Sequence, residues 1–234
     1  FLSPETLLAR RKSYTIMEIT ISGAKKLLKP AVKAYENRLK RFGPTAQGVY
    51  WKNQKWQHRR YVILEQIFQK LDQEGGISIH DFGCGYGYYL DYLIGRPVMR
   101  GSRYIGTDMS EGMINAAKKR HILNCAQFVC GTSAQEITDY TIISGTYNMH
   151  INADIEKWAS YVKSSLLQLW QNTRYGLAFN MLHNDTEIKY DGLFYADPTE
   201  FLSFARNNLS PESTLKVDWP LPDFTIFVPR PERN

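Results

Sequence analysis

The stretch HDFGCGYGYYLDYL sets Gly83, Gly85 and Gly87 on alternate positions between a strand-like apolar run and a helix-like one, with Asp81 just ahead of them. A turn of that composition lets bare backbone approach a ligand, because glycine carries no Cβ and enters the left-handed region freely. About 25 residues on, RYIGTDMS puts Asp108 at the end of the next strand-like run. There a carboxylate can accept hydrogen bonds from both hydroxyls of a ribose. The pairing implies a nucleoside, and Met109 is then either a nucleobase contact or a core methionine. A dinucleotide fingerprint would need glycine where Tyr88 stands, which argues against a nicotinamide cofactor. Taken alone, the glycines also fit a tight turn that binds nothing.

The elements that must position these residues alternate along the chain. ISIHDF, RYIGTDM, AQFVC, YTIISG and YGLAFNML read as strands, and YYLDYLI, SEGMINAAKKR, DIEKWASYVKSSLLQLW and DPTEFLSFARNNL as the helices between and after them. Ser110 and Asp197 stand at helix N-caps, the latter followed by Pro198 and Glu200. STLKVDW and DFTIFVP then close the chain as strands with no room for a helix between Trp219 and Asp223. That order predicts an α/β fold with a largely parallel sheet covered on both faces and one antiparallel strand at the end. The polar loop HNDTEIKYDGLFYA is long enough to be a lid.

Ahead of the alternation lies a helical segment. Residues 22 to 41 carry Leu27, Leu28, Ala31, Val32, Tyr35 and Leu39 at helical spacing, interrupted by Pro30. WQHRRYVILEQIFQKL follows as a second helix with Tyr61, Leu64, Ile67, Phe68 and Leu71 on one face. Net charge divides at this border. Fourteen Lys and Arg against three Glu give residues 1 to 60 a charge near +11, leaving the remainder near −5 within an overall +6. The expected organisation is a basic helical cap over residues 1–74 and a ligand-binding domain over 75–234.

Composition narrows the class. No run approaches the apolar length of a membrane span, and the basic cluster of FLSPETLLARRKSYTI follows its apolar patch, the reverse of a secretory signal. A soluble, cytoplasmic protein is expected. Cys84, Cys125 and Cys130 show no CxxC spacing, and His121 with Cys125 and Cys130 makes a poor ligand set, so no metal is expected.

DFGCGYG followed by YIGTDMS resembles the first two motifs of the class I S-adenosylmethionine-dependent methyltransferases, over roughly residues 43 to 230. FGPTAQGVYW, IISGTYNM and LPDFTIFVPR resemble a bacterial branch that methylates small molecules. The resemblance implies a doubly wound, mostly parallel seven-stranded sheet and S-adenosyl-L-methionine as cofactor, released as S-adenosyl-L-homocysteine. It implies that Asp81, Gly83, Gly85 and Gly87 line the methionyl and ribose part, with Asp108 on the ribose and Met109 on the adenine. Thr132 and Ser133 would lie near the adenine amino group, although GTS stands where many relatives carry an aspartate. Ser144, with the residues after it, would border cofactor and acceptor. Trp51 would cover the cofactor, and Arg60 would pair with its carboxylate.

A sulfonium is already a good methyl donor, so holding an acceptor in line suffices for most of the rate. Where a proton must leave, His150 is the best candidate base, with Tyr147 beside it, His183 behind it, and Asn148 and Tyr195 to orient an acceptor. The leading expectation is transfer to an oxygen or nitrogen of a small specialised metabolite. SGTYNM lacks the NPPY pattern of enzymes that methylate nucleobase amino groups. The basic helices keep an RNA methyltransferase open as an alternative, although no RNA-binding module accompanies them. An acidic carrier protein presenting the acceptor would suit the same charge, as would a solvated helix face. A non-catalytic nucleoside-binding protein is the remaining alternative.

Overall fold

The computed structural model describes residues 21–217 and 220–230. Strands β1 (Ser78–Phe82), β2 (Arg103–Asp108), β3 (Ala126–Cys130), β4 (Thr138–Ser144), β5 (Thr173–His183), β6 (Tyr195–Ala196), β7 (Thr214–Val217) and β8 (Asp223–Pro229) form one sheet. Its order is β3-β2-β1-β4-β5-β8-β7, with the two-residue β6 pairing β5 off that path. β8 alone runs against its neighbours β5 and β7, as the short return before it requires. The chain order reverses between β1 and β4, which opens a crevice beyond their carboxyl ends.

Helices α3 (Tyr88–Leu93), α4 (Glu111–Arg120), α5 (Ile155–Gln171) and α6 (Pro198–Asn208) follow the strands in the expected order. Ser110 accepts from Met113 N at 3.2 Å, and Asp197 Oδ1 accepts from Thr199 N at 2.7 Å and Glu200 N at 3.2 Å, satisfying amides that a helix start leaves unpaired. Both sheet faces are buried, and strand pleating assigns each residue its side. Leu177, Phe179 and Met181 pack with Trp158, Val162 and Phe201 from α5 and α6, whereas Ala178, Ile142 and Tyr140 pack with Leu64, Leu90 and Ala117 from α2 (Gln54–Leu64), α3 and α4.

The N-terminal helices differ in detail from expectation. α1 (Ile21–Phe42) runs unbroken through Pro30. α2 ends at Leu64 and continues as a single 3-10 turn over Glu65–Ile67, because Phe68 turns extended and sets its ring edge-on against Tyr140 at 5.0 Å. Leu71 therefore falls in a second 3-10 turn and is 87% exposed instead of buried on the helix face. The expected lid is tied down: β6 pairs Leu182–His183, and Met149 bridges Leu193. FLSPETLLARRKSYTI and the end of STLKVDW lie outside the described residues. No helix among the described residues is long and apolar enough to cross a membrane.

Replacing Asp197 by Ala orphans two amides of α6 and is expected to cost about 1 kcal/mol of stability. Urea titration followed by circular dichroism checks this; an unchanged midpoint would show the cap to be idle.

Candidate active site

The three glycines of the turn after β1 perform different tasks. At Gly83 (φ +78) a Cβ would lie 2.2 Å from Thr146 Oγ1, and that threonine is anchored by donating to Phe82 O at 2.8 Å. Only glycine lets the loops after β1 and β4 touch there. The amides of Gly83 and Cys84 both donate to Thr107 O, at 2.7 and 3.1 Å. At Gly85 (φ +54) a Cβ would meet nothing closer than Val49 Cγ1 at 3.7 Å, so bare backbone faces open space. Gly87 instead packs under the His121 ring, 3.0 Å from where its Cβ would be. Gly106, in the middle of β2, has the same use: a Cβ would meet Phe128 at 2.7 Å and Cys84 Sγ at 2.9 Å. Its place inside a regular strand pattern gave no signal of that.

Asp108 ends β2 and staples the turn. Its Oδ2 accepts from Gly85 N at 2.9 Å and its Oδ1 from Ser110 N at 2.8 Å. A carboxylate has roughly four acceptor sites, so these amides leave capacity for a ligand hydroxyl. Burial pushes this carboxyl up, while the amides of Ser110, Gly85 and Met109 pull it down. Asp81, on β1, is 2% exposed and accepts from Tyr104 OH at 2.5 Å. Burial pushes its pKa up to about 7; the Tyr104 bond opposes this and the charge of Asp108 adds to it.

Both carboxylates line a cavity of about 1140 Å³ at the crevice. Ligand sites commonly run from about 300 to 1,000 Å³, so a nucleoside and a second molecule have room together. Trp51, Gly83, Gly85, Met109, Thr132 and Ser144 line it as well. The Ser144 hydroxyl is buried there without a protein partner, which leaves it free for a ligand. Ser133 is not in the wall: its hydroxyl and carbonyl take the Gln135 side chain at 3.4 and 3.2 Å.

Like Ser133, Gly87 is not among the lining residues, and three further expectations are corrected. Tyr147 is 1% exposed, its hydroxyl 2.8 Å from Ser165 Oγ and its carbonyl accepting from Trp158 Nε1 at 2.9 Å. It is a core residue of the α5 face, and burial raises its phenol well out of range for a base. His150 turns the same way, with Nδ1 3.1 Å from Ala153 O and its ring beside Trp158. The segment itself stays at the cavity, since Gly145, Thr146, Asn148, Met149 and Ile151 line it, but Tyr147 and His150 are not among the lining residues and their side chains pack toward α5 instead. Arg60 does line the cavity, but its guanidinium is spent within the chain: Nε and Nη2 donate to the two oxygens of Asp223 at 2.5 and 2.6 Å, and Nη1 donates to Trp56 O at 2.9 Å. Its carboxylate partner is Asp223.

Further lining residues come from α1 and the loop behind it, notably Tyr35, Arg38 and Tyr50. Burial raises the Tyr35 phenol, and Asp108 adds to the effect, which puts this ring beside the turn. Its helical spacing marked Tyr35 only as part of an apolar stripe. Asn148 and Tyr195 also face the cavity, while His183 accepts from Asp185 N at 2.9 Å outside it. Among the described residues no group of three or more His, Cys, Asp or Glu could hold a metal.

A parallel sheet with this switch point, a bare glycine turn and an acid closing the second strand define a nucleoside-cofactor site, and the chain belongs to the class I S-adenosylmethionine-dependent methyltransferases. Residues 80–144 match a family described as "Methyltransferase domain". The Mycobacterium tuberculosis protein "Putative methyltransferase Rv1506c" is 34% identical over 154 residues, covering 64% of this chain and 92% of its own. A malonyl-[acyl-carrier protein] O-methyltransferase of Bacillus cytotoxicus is 24% identical over 110 residues, 47% of this chain and 36% of that enzyme. In fold, the chain is similar to the magnesium protoporphyrin IX methyltransferase of Synechocystis PCC 6803 with bound S-adenosylhomocysteine, at a TM-score of 0.59 and 12% identity over 90% of this chain and 99% of that one. The DhpI complex with the same product aligns at 0.59 and 13% identity over 88% and 98%. The cofactor is S-adenosylmethionine, and the open space above Gly85, the spare acceptor sites of Asp108 and the cavity volume fit it.

Because the folded-state pKa of Asp81 lies above its ordinary 3.8, the native state holds a proton that the unfolded chain has released between about pH 4 and 7. The stability this confers is full below pH 4 and is lost as pH rises through 7. Asp81→Asn should flatten that part of the profile, measured by denaturant titration at pH 4.5 to 8. A variant with the parent's slope would place the titration elsewhere.

Proposed function

We propose that this methyltransferase moves the methyl group of S-adenosylmethionine to an oxygen or nitrogen of a small-molecule acceptor, such as a specialised metabolite. The observation that carries the site assignment is the Asp108 carboxylate holding Gly85 N at 2.9 Å while facing the cavity. In this reading Asp108 takes the ribose hydroxyls, Met109 and Thr132 flank the adenine, and Asp81 with Gly83 and Gly85 meets the methionyl part. Ser144, at the end of β4, and Trp51, from the entry loop, border the acceptor. The N-terminal segment acts as a cap, since Tyr35, Tyr50 and Trp51 all contribute to the cavity wall.

No histidine among the described residues lines the cavity, which favours catalysis by alignment and water exclusion over side-chain proton abstraction. Such positioning can supply about 7 to 11 kcal/mol of a barrier. The acceptor's lone pair bonds the methyl carbon as the carbon–sulfur bond breaks, and any released proton passes to water. A second reading places the acceptor on an acidic carrier protein. The exposed Lys25, Lys26, Lys29, Lys33 and Lys40 of α1 favour it by charge, and one relative's name includes a carrier-bound substrate.

Isothermal titration with S-adenosylhomocysteine tests the site. The parent should bind saturably. Asp108→Ala should bind roughly 10- to 100-fold more weakly, the loss of one or two hydrogen bonds to a charged group at about 1.5 kcal/mol or more. His150→Ala should retain the parent's affinity. Equal affinity of Asp108→Ala and the parent would remove the assignment.

A further inference from the structure

The Arg60–Asp223 pair closes a circuit that the cofactor motifs do not include. Arg60 is 4% exposed on α2, and Asp223, the first residue of β8, is equally buried at 4%. Asp223 Oδ2 also accepts from Asn180 Nδ2 at 2.8 Å, and Asn180 Oδ1 accepts from Gly145 N at 2.8 Å. Gly145 has no side chain because the Trp51 indole occupies that space: a Cβ would lie 2.7 Å from Trp51 Cζ2. The same indole also meets the Arg60 guanidinium, 4.3 Å from the ring centroid. Trp51, Arg60, Asp223, Asn180 and Gly145 thus hold one another in a ring drawn from the entry loop, α2, β8, β5 and the turn after β4.

The ring stands where donor and acceptor must meet. Gly145 follows Ser144 at the end of β4, and the next residue, Thr146, is the one that rests on Gly83. Trp51, Arg60 and Gly145 all line the cavity. Burying two charges costs several kcal/mol each, and apolar residues of similar volume often serve stability as well. Stability alone is therefore a weak reason for the pair. A planar fork that bonds a carboxylate through two nitrogens while stacking on an indole is a task for arginine in particular.

We infer that Arg60 is a positioning residue for methyl transfer: locked by Asp223, it holds Trp51 and the Gly145 amide as one fixed wall beside the reacting end of the cavity. The inference rests on the methyltransferase reading of that cavity. It makes the site depend jointly on the N-terminal cap and the last strand, since neither supplies both halves of the lock.

The test compares the parent, Arg60→Met/Asp223→Leu and Arg60→Lys as full chains by three measurements: thermal unfolding, S-adenosylhomocysteine affinity, and acrylamide quenching of Trp51. The last is obtained by difference against Trp51→Phe in each background. The double variant leaves no unpaired charge and should melt within a few degrees of the parent, yet bind at least 10-fold more weakly and expose Trp51 to quencher several-fold more. Arg60→Lys keeps the charge but not the fork, and should fall between the two in both readouts; it carries the test if the double variant does not fold. Parent-like affinity and shielding of Trp51 in either folded variant would overturn the inference. A parent that fails to bind the product at all would defeat the methyltransferase reading instead, while the quenching comparison still decides whether Arg60 holds Trp51.

Discussion

The site depends on one hydrogen bond, from the amide of Gly85 to the carboxylate of Asp108. It joins the turn after β1 to the end of β2, and the other carboxylate oxygen accepts Ser110 N, so the same group also fixes the start of α4. A bond to a charged acceptor contributes about 1.5–3 kcal/mol, enough to hold a glycine whose backbone freedom would otherwise favour other shapes. Conformational freedom and restraint are thus paired at one position. The glycine leaves the space above it open, and the aspartate keeps it open in one geometry.

That arrangement puts acidic groups close together under the turn, and burial acts on both. Asp108 is relieved by several amide donors, Asp81 chiefly by the hydroxyl of Tyr104. The consequence is an asymmetry: Asp81, not Asp108, is the group pushed up to about 7. A cationic ligand group near Asp81 would favour its ionised form and reverse the penalty. If the methionyl end lies beside Asp81 as proposed, pocket and charged ligand complement each other electrostatically, and the free protein carries the cost as a buried acid.

The parts legible in the sequence are those written locally. Strand and helix alternation, the caps at Ser110 and Asp197, the glycine turn and Asp108 each depend on residues within one βα unit, and the structure has them where expected. What escaped depends on distance along the chain. Arg60 meets Asp223 across 163 residues, and nothing near either position signals the other. Tyr147 and His150 were close in sequence to the end of β4, but Tyr147 packs into the α5 core and His150 sets its half-buried ring beside Trp158, while their neighbours Thr146, Asn148 and Met149 line the cavity. Leu71 followed a helical period that the chain abandons at Phe68.

The same division separates donor from acceptor. The donor half is built from consecutive elements, β1, the glycine turn, α3 and β2, and such a unit carries its own pattern wherever it occurs. The rest of the cavity wall is assembled from the entry loop, the turn after β4, the segment between β5 and α6, and the approach to β8, which contribute Trp51, Gly145, Tyr190 and Pro222, and an acceptor proposed to bind there would be read by these. Each of these segments is a connection between regular elements, and contacts between residues distant in sequence, such as the Arg60–Asp223 pair, tie them together. A short motif can therefore identify the methyl donor while remaining silent about what receives the methyl group.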